Sequence, residues 1–227
     1  MKKFPALAAC AALLLSIFSV SVTAVQSEGD SFTLASGFSS TQGQNNWYYM
    51  WTDSWNLSAS ITQCDTYSAA GSSWGDSRAA GLAMKAGQLQ TPTGAGLTTM
   101  YVFKAPRAGQ VKYTYTFTQH YDASLPDSAN QTLRVFKQAG SNTPAEQSGT
   151  FNSVTKSSAA VTIEKSVALA QGDQLYFAVN NEGDGTGKLA DVAISVVYDA
   201  LPAASYTDAS AAAFTLGGTG SQFSNTQ

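Results

Sequence analysis

The sequence predicts an all-β fold, an antiparallel jelly-roll β-sandwich of about eight or nine strands, and three observations predict it. Apolar and polar residues alternate with a period of two through most of the chain beyond residue 30. Helical periodicity is almost absent over the same stretch. The alternating runs are short, and clusters of Gly, Pro, Ser, Asn and Asp separate them where the chain must reverse. Each such run has one wet and one dry face, and two sheets made of them bury the dry faces against each other.

Taken in order, WYYMW places Trp47, Tyr49 and Trp51 on one strand face and Tyr48 and Met50 on the other. GLAMKA (81–86) and TMYVFKA (99–105) follow as strands. QVKYTYTFTQH sets Val111, Tyr113, Tyr115 and Phe117 against Lys112, Thr114, Thr116 and Thr118, a clear dry side and wet side. The same pattern runs through Leu133 and Val135, through Val161, Ile163, Val167 and Leu169, and through Leu175, Phe177 and Val179. Val192, Ile194, Val196 and Tyr198 form the last strand. APRAGQ, QGDQ and NNEGDGTG are the turns between them. A jelly roll fits better than an immunoglobulin sandwich, because the domain is long and lacks the Cys, Trp, Cys spacing.

The first 24 residues join Lys2 and Lys3 to an apolar run and to the small pair Val22 and Ala24, which reads as a signal peptide cleaved after Ala24. A lipoprotein-type box, LAAC ending at Cys10, is the competing reading of the leader. No other stretch approaches the roughly 20 apolar residues of a spanning helix, so the expectation is a secreted, extracellular or cell-surface protein without membrane insertion. The formal charge is −3, and loss of Lys2 and Lys3 makes it more negative by two. An acidic surface excludes the basic patch that a nucleic-acid partner demands. Cys64 is the one cysteine beyond the leader, so no intramolecular disulfide is expected there, and a small buried thiol is the favoured reading. Residues 25–199 are long enough for one sizeable core.

Residues 200–213, ALPAASYTDASAAA, read as a linker. Beyond them FTLGGTGSQFSNTQ, Phe214 to Gln227, matches FTLASGFSSTQ at Phe32 to Gln42 with three extra residues between the halves. The expectation is the truncated start of a second copy, in a polypeptide with further domains.

FSSTQGQNNWYYMW, Phe38 to Trp51, resembles the Phe-Ser-x-x-Gln-Gly-x-x-Asn-Trp-x-Tyr opening of a group of jelly-roll, carbohydrate-binding-like modules in exported bacterial proteins, often found in tandem or beside glycan-active domains. MYVFKAPRAGQVKYTYTF and VALAQGDQLYFAVNNEGDGTGKLADVAISV are similar to later segments of the same modules, except that Met100 and Tyr101 stand where a tryptophan is frequent. The resemblance implies a non-catalytic carbohydrate-binding-like module whose partner is a polysaccharide or a cell-surface glycan. Two alternatives stand beside it: a structural or adhesive spacer with no small ligand, and, remotely, a glycan-active hydrolase or lyase.

Sugars stack their C–H faces on exposed aromatic rings while amides and carboxylates read the hydroxyls. Trp47 and Tyr49 belong to the recurring opening motif, so the resemblance implies that they are core anchors burying large apolar area. Trp51, Trp55 and Trp74, with Tyr67, are the candidate sugar platform, since the Gly- and Ser-rich stretch around them reads as loop. In NNEGDGTGKLAD, residues Asn180, Glu182, Asp184 and Asp191 have the oxygen-ligand spacing of a calcium loop, although strands flank it, so a structural calcium is a candidate and no cofactor is required. His120 is the single histidine, without a nucleophile elbow or a zinc-spaced partner, and Asp53, Asp65, Asp76 and Glu164 are unpaired in sequence. The chain does not read as an enzyme.

Overall fold

A computed structural model describes residues 29–199, apart from 59, 95, 122–123, 125–129, 156–158 and 182–185. The leader, the linker and the repeated tail therefore lie outside the described residues, as do Glu182 and Asp184. Among the described residues no helix is long and apolar enough to cross a membrane.

Among the described residues, fifteen strand segments make up the sandwich: β1 (Ser31–Thr33), β2 (Trp47–Thr52), β3 (Thr62–Gln63), β4 (Thr66–Ser68), β5 (Ser73–Asp76), β6 (Ala79–Met84), β7 (Gln88–Gln90), β8 (Thr98–Lys104), β9 (Gly109–Gln119), β10 (Gln131–Gln138), β11 (Ala145–Glu146), β12 (Asn152–Val154), β13 (Val161–Leu169), β14 (Gln174–Asn181) and β15 (Leu189–Tyr198). One helical turn, Leu34–Gly37, follows β1, capped by the Thr33 side chain, which accepts from the Ser36 amide. All the long alternating runs form strands as expected. The count is larger because short segments such as β3, β11 and β12 pair at sheet margins without a pattern long enough to mark them.

Every pairing is antiparallel. Sheet A runs β13, β9, β15, β7, β6, β5, β4, with β1 also on β15; sheet B runs β11, β10, β14, β8, β2, β3, with β12 also on β10. The core lies between them. Trp47, Tyr49, Tyr101, Phe103 and Phe177 enter from sheet B, and Tyr113, Tyr115, Phe117, Ile194 and Tyr198 from sheet A, all 3% exposed or less. Phe177 is the hub: its ring centre is 5.6 Å from both Tyr113 and Tyr115, edge-on in each case.

The opening segment Phe38 to Trp51 is a clamp on β2. Gln42 behaves like a short strand of its own: its Oε1 accepts from the Tyr49 amide at 2.9 Å, and its Nε2 donates to the Tyr49 and Cys64 carbonyls at 3.2 Å each. Gly37 leaves room for the Trp47 indole, which a Cβ would meet at 2.4 Å. Gly43 has φ +79° and lies under the Tyr48 ring, so it meets both a conformational and a steric requirement. The motif that carries the family resemblance thus seats Trp47 and Tyr49, both 0% exposed, in the core.

Candidate functional site

The register of sheet B sets out its outer face row by row. Tyr48, Val102, Tyr176 and Phe136 lie side by side on β2, β8, β14 and β10. The next row is Met50, Met100, Ala178 and Arg134, and the one after it Thr52, Thr98, Asn180 and Thr132. At the other end Gln138, Gln174 and Lys104 form a polar row. Met100, Val102, Ala178, Tyr176 and Phe136 are buried and form a second apolar cluster with Leu57, outside the sandwich proper.

Part of what covers this face is the chain between β2 and β3. Ser54 O accepts from Thr98 Oγ1 on β8 at 3.2 Å, and the Trp55 ring centre lies 3.8 Å from the Arg134 guanidinium carbon on β10. The chain therefore leaves β2, crosses β8 and β14, reaches β10 and returns to β3 beyond its starting edge. Phe151, half exposed, meets Trp55 edge-on at 6.4 Å, and Arg134 also pairs with Glu146 at 3.3 Å. Leu57, 2% exposed, is the plug of this crossing, on a left-handed backbone with φ 56°. That conformation costs an L-residue about 1–2 kcal/mol. Locally, Ser54 Oγ and Asn56 Oδ1 both accept from the Ser58 amide at 3.1 Å.

Beside the crossing a groove of about 450 Å³ stays open over Tyr176 of the first apolar row and over Gln138 and Gln174 of the polar row. Met50, Leu57 and Ile61 form one side, the turn from Ser141 to Pro144 the other, and Gln138, Gln174 and Tyr176 the floor. The Tyr176 hydroxyl sits between the two glutamine amides, 2.8 Å from Gln174 Oε1, and burial pushes its pKa up to about 12. Gln138 Nε2 donates to the Asn142 carbonyl at 2.7 Å, which ties floor to wall. The described residues that line it include no charged side chain. It offers C–H surface along one edge and amide and hydroxyl groups along the floor.

The aromatic candidates divide between the two sides of sheet B. Trp74 and Tyr67 are opposed in the β4–β5 hairpin, so the stretch read as loop is a strand pair at the end of sheet A. Trp74 is 6% exposed, stacked on Tyr49 at 5.7 Å and 15°, with Nε1 donating to the Ser39 carbonyl at 2.8 Å. This corrects the expectation for Trp74: pairing with Tyr67 and Met84 places it on the core side of sheet A. Tyr67 and Trp51 are half-buried and pack on the margin of the same core. Arg78 lies 5.7 Å from the Trp51 ring centre and grips Asp76 through Nε at 2.8 Å and Nη2 at 2.7 Å. Hydrogen bonds from Arg78 lower the Asp76 pKa to about 2. Only Trp55 reaches the outer face of sheet B.

Of the calcium candidates, Glu182 and Asp184 lie outside the described residues. Asn180 spends its amide N–H groups on the Gly96 carbonyl at 2.9 Å and Thr98 Oγ1 at 2.7 Å. Asp191, on sheet A, is 2.8 Å from His120 Nε2. Among the described residues no group of three or more His, Cys, Asp and Glu is placed to hold a metal ion. Three of the four carboxylates weighed for catalysis are held by cations: Asp65 and Asp76 share Arg78, and Glu164 pairs with Lys112 at 3.0 Å. Cys64 is buried, its thiol pushed up to about 12 mainly by desolvation and 3.9 Å from Met84 Sδ, as expected of a structural thiol.

Tyr48, Met50, Gln138, Gln174 and Tyr176 were absent from the sequence candidates. A signal exists for Tyr176: it stands in LYFAV, a continuous apolar run, the mark of a strand covered on both faces.

No family model matches the chain, and no curated protein is similar to it. Among solved structures, several remote ones are similar in fold. The CBM22-1 xylan-binding domain of Paenibacillus barcinonensis Xyn10C has 12% identity and a TM-score of 0.38, over 78% of this chain and 99% of that one. A family 11 carbohydrate-binding module from Clostridium thermocellum, in complex with a mixed-linked tetrasaccharide, has 12% identity and a TM-score of 0.35 over the same shares. The xylan-binding module CBM15 has 11% identity and a TM-score of 0.35, over 68% of this chain and 93% of that one.

Proposed function

We propose that this domain is a non-catalytic carbohydrate-binding-like module of an exported protein, and that it takes an uncharged polysaccharide chain in the groove on the outer face of sheet B. One observation carries the reading: the groove joins an apolar edge to a floor of amide and phenol groups, and the described residues that line it include no charged side chain. A sugar ring presents that same pair of surfaces, C–H faces and hydroxyls, and pockets of this kind orient a ligand with few polar groups. A uronate or sulfated chain would find no cation among those residues to offset the desolvation of its charge.

The test uses the full chain against soluble mixed-linkage β-glucan, xylan, dextran and alginate in affinity electrophoresis, followed by calorimetry on any polysaccharide retained. Retention by at least one neutral polysaccharide and none by alginate is expected. Gln174→Ala and Tyr176→Phe should then weaken binding about tenfold, because each removes a polar group from the groove floor that would read a sugar hydroxyl. Failure of all neutral polysaccharides to bind removes the reading. The spacer reading would gain from that failure. It has its own support in the burial of Trp47, Tyr49 and Trp74, which the core consumes entirely.

A further inference from the structure

We infer that residues Ser54 to Ser58 form a displaceable strap that autoinhibits the binding face of sheet B, an inference that rests on the binding reading above. The outer face of this sheet is apolar across four strands, yet the open groove uses only one end of it. The row Met50, Met100, Ala178 and its neighbours Val102 and Tyr176 lie beneath or beside the strap, with Leu57 as the side chain that completes their burial. From β2 to β10 the strap spans three interstrand spacings, roughly 14 Å.

Its attachment differs in kind from that of a strand. β8 and β14 are held by continuous ladders on both sides. Beyond the plug itself, the strap is fastened by side-chain contacts and not by a ladder: Thr98 Oγ1 donates to Ser54 O, the Ser54 amide donates to Thr52 Oγ1 at 3.2 Å, and the Trp55 ring lies on Arg134 and against Phe151. The remaining strap bonds among Ser54, Asn56 and Ser58 are internal, so they survive if the strap lifts as a unit. Leu57 sits on a left-handed backbone at φ 56°, which its burial must offset, and that conformation can relax once the side chain leaves the face. Lifting the strap extends the groove across Val102 and Met100 toward Ala178. The closed form thus admits a short stretch of chain, and the open form a longer one.

Trp55 is the latch in this account and makes no contact with ligand. The test compares the full chain with Trp55→Ala and with Trp55→Phe, which keeps a ring over Arg134. Loss of a cation–π contact shifts a two-state equilibrium by roughly three- to thirtyfold. Fluorescence of the apolar-surface dye anilinonaphthalene sulfonate is therefore expected to rise severalfold in Trp55→Ala and to stay near the parent value in Trp55→Phe, with thermal midpoints close to the parent. Affinity for mixed-linkage β-glucan should rise about threefold or more in Trp55→Ala alone. Hydrogen exchange on the parent chain gives a reading that needs no variant: amides of residues 54–58 should exchange much faster than those of β8 and β14.

Unchanged dye fluorescence in Trp55→Ala, or strap amides protected as long as those of β8, overturns the strap. A dye increase with lower glucan affinity shows Trp55 touching the sugar and overturns autoinhibition. A dye increase with no polysaccharide bound by any form leaves the strap standing as a cover and removes the binding reading instead.

Discussion

On the outer face of sheet A, Thr116 and Thr162 hydrogen-bond across the β9–β13 pair at 3.0 Å, Thr114 bonds Glu164, and Lys112 closes an ion pair with the same carboxylate. On the outer face of sheet B the equivalent positions hold Met100, Val102, Tyr176 and Ala178, each 3% exposed or less. Both sheets are antiparallel and share one core, so pairing geometry does not explain the contrast. Composition does: β9 alternates strictly, while β8 and β14 are apolar on both sides and need a second cover. The sandwich supplies one cover and the chain between β2 and β3 supplies much of the other. The apolar face of sheet B is covered in part and borders an open groove, whereas hydroxyl and ion pairs dress the face of sheet A.

Three experiments break or sharpen this contrast. The largest effect is expected in the shared core. Phe177→Ala, which removes the ring between Tyr113 and Tyr115, should cost about 3–5 kcal/mol in urea denaturation. Met100→Ala, on the outer face of sheet B, should cost about 2–4 kcal/mol. Thr116→Ala on the outer face of sheet A should cost less than about 1 kcal/mol. Equal small costs for the last two would show that sheet B has no second dry face.

A smaller effect belongs to the junction where β5 of sheet A meets Trp51 of sheet B. Asp76 titrates at about 2 when folded, against an ordinary value of 3.8, because Arg78 hydrogen-bonds its charged form. Its folded pKa is depressed, so its contribution is complete above about pH 4 and is lost as pH falls from there toward 2. The urea midpoint of the parent should therefore drop more between pH 5 and pH 3 than that of Asp76→Asn. Matching pH profiles would remove Asp76 as a stabiliser of the junction. The smallest effect is chemical. Cys64, with its thiol at about 12, should resist iodoacetamide at pH 8 in the folded chain and react once urea unfolds it, read by mass spectrometry of its peptide. Rapid labelling of the folded chain would show that the space between the sheets is open there.

The legible part of the molecule was the part that alternates. Tyr113, Tyr115, Phe117, Ile194 and Val196 could be placed in the core from their spacing, because side-chain direction along a strand needs only local sequence. Cys64 was legible for a similar reason, since nothing around it marked an activated thiol. Trp74 was misplaced because Gly and Ser around it signal a loop, and its strand is defined only by pairing with Tyr67 and Met84. Tyr176, Gln138 and Gln174 were missed because they meet only through the register of β14 on β10, across 36 residues of chain at their turnward ends. Asn180 and Asp191 looked like neighbours in a loop, yet pairing sends them to different sheets.

The sequence by itself determined the fold class, the face each long strand turns inward and the Phe38 to Trp51 segment that anchors Trp47 and Tyr49. A period of two dictates the first two without any partner strand, and the opening motif carries the third. The tertiary structure alone decided which strands lie side by side, that the outer face of sheet B is a second apolar surface, and that Ser54 to Ser58 crosses it. Those features depend on contacts between residues distant in the chain, and local periodicity carries no information about which strand will stand next to which.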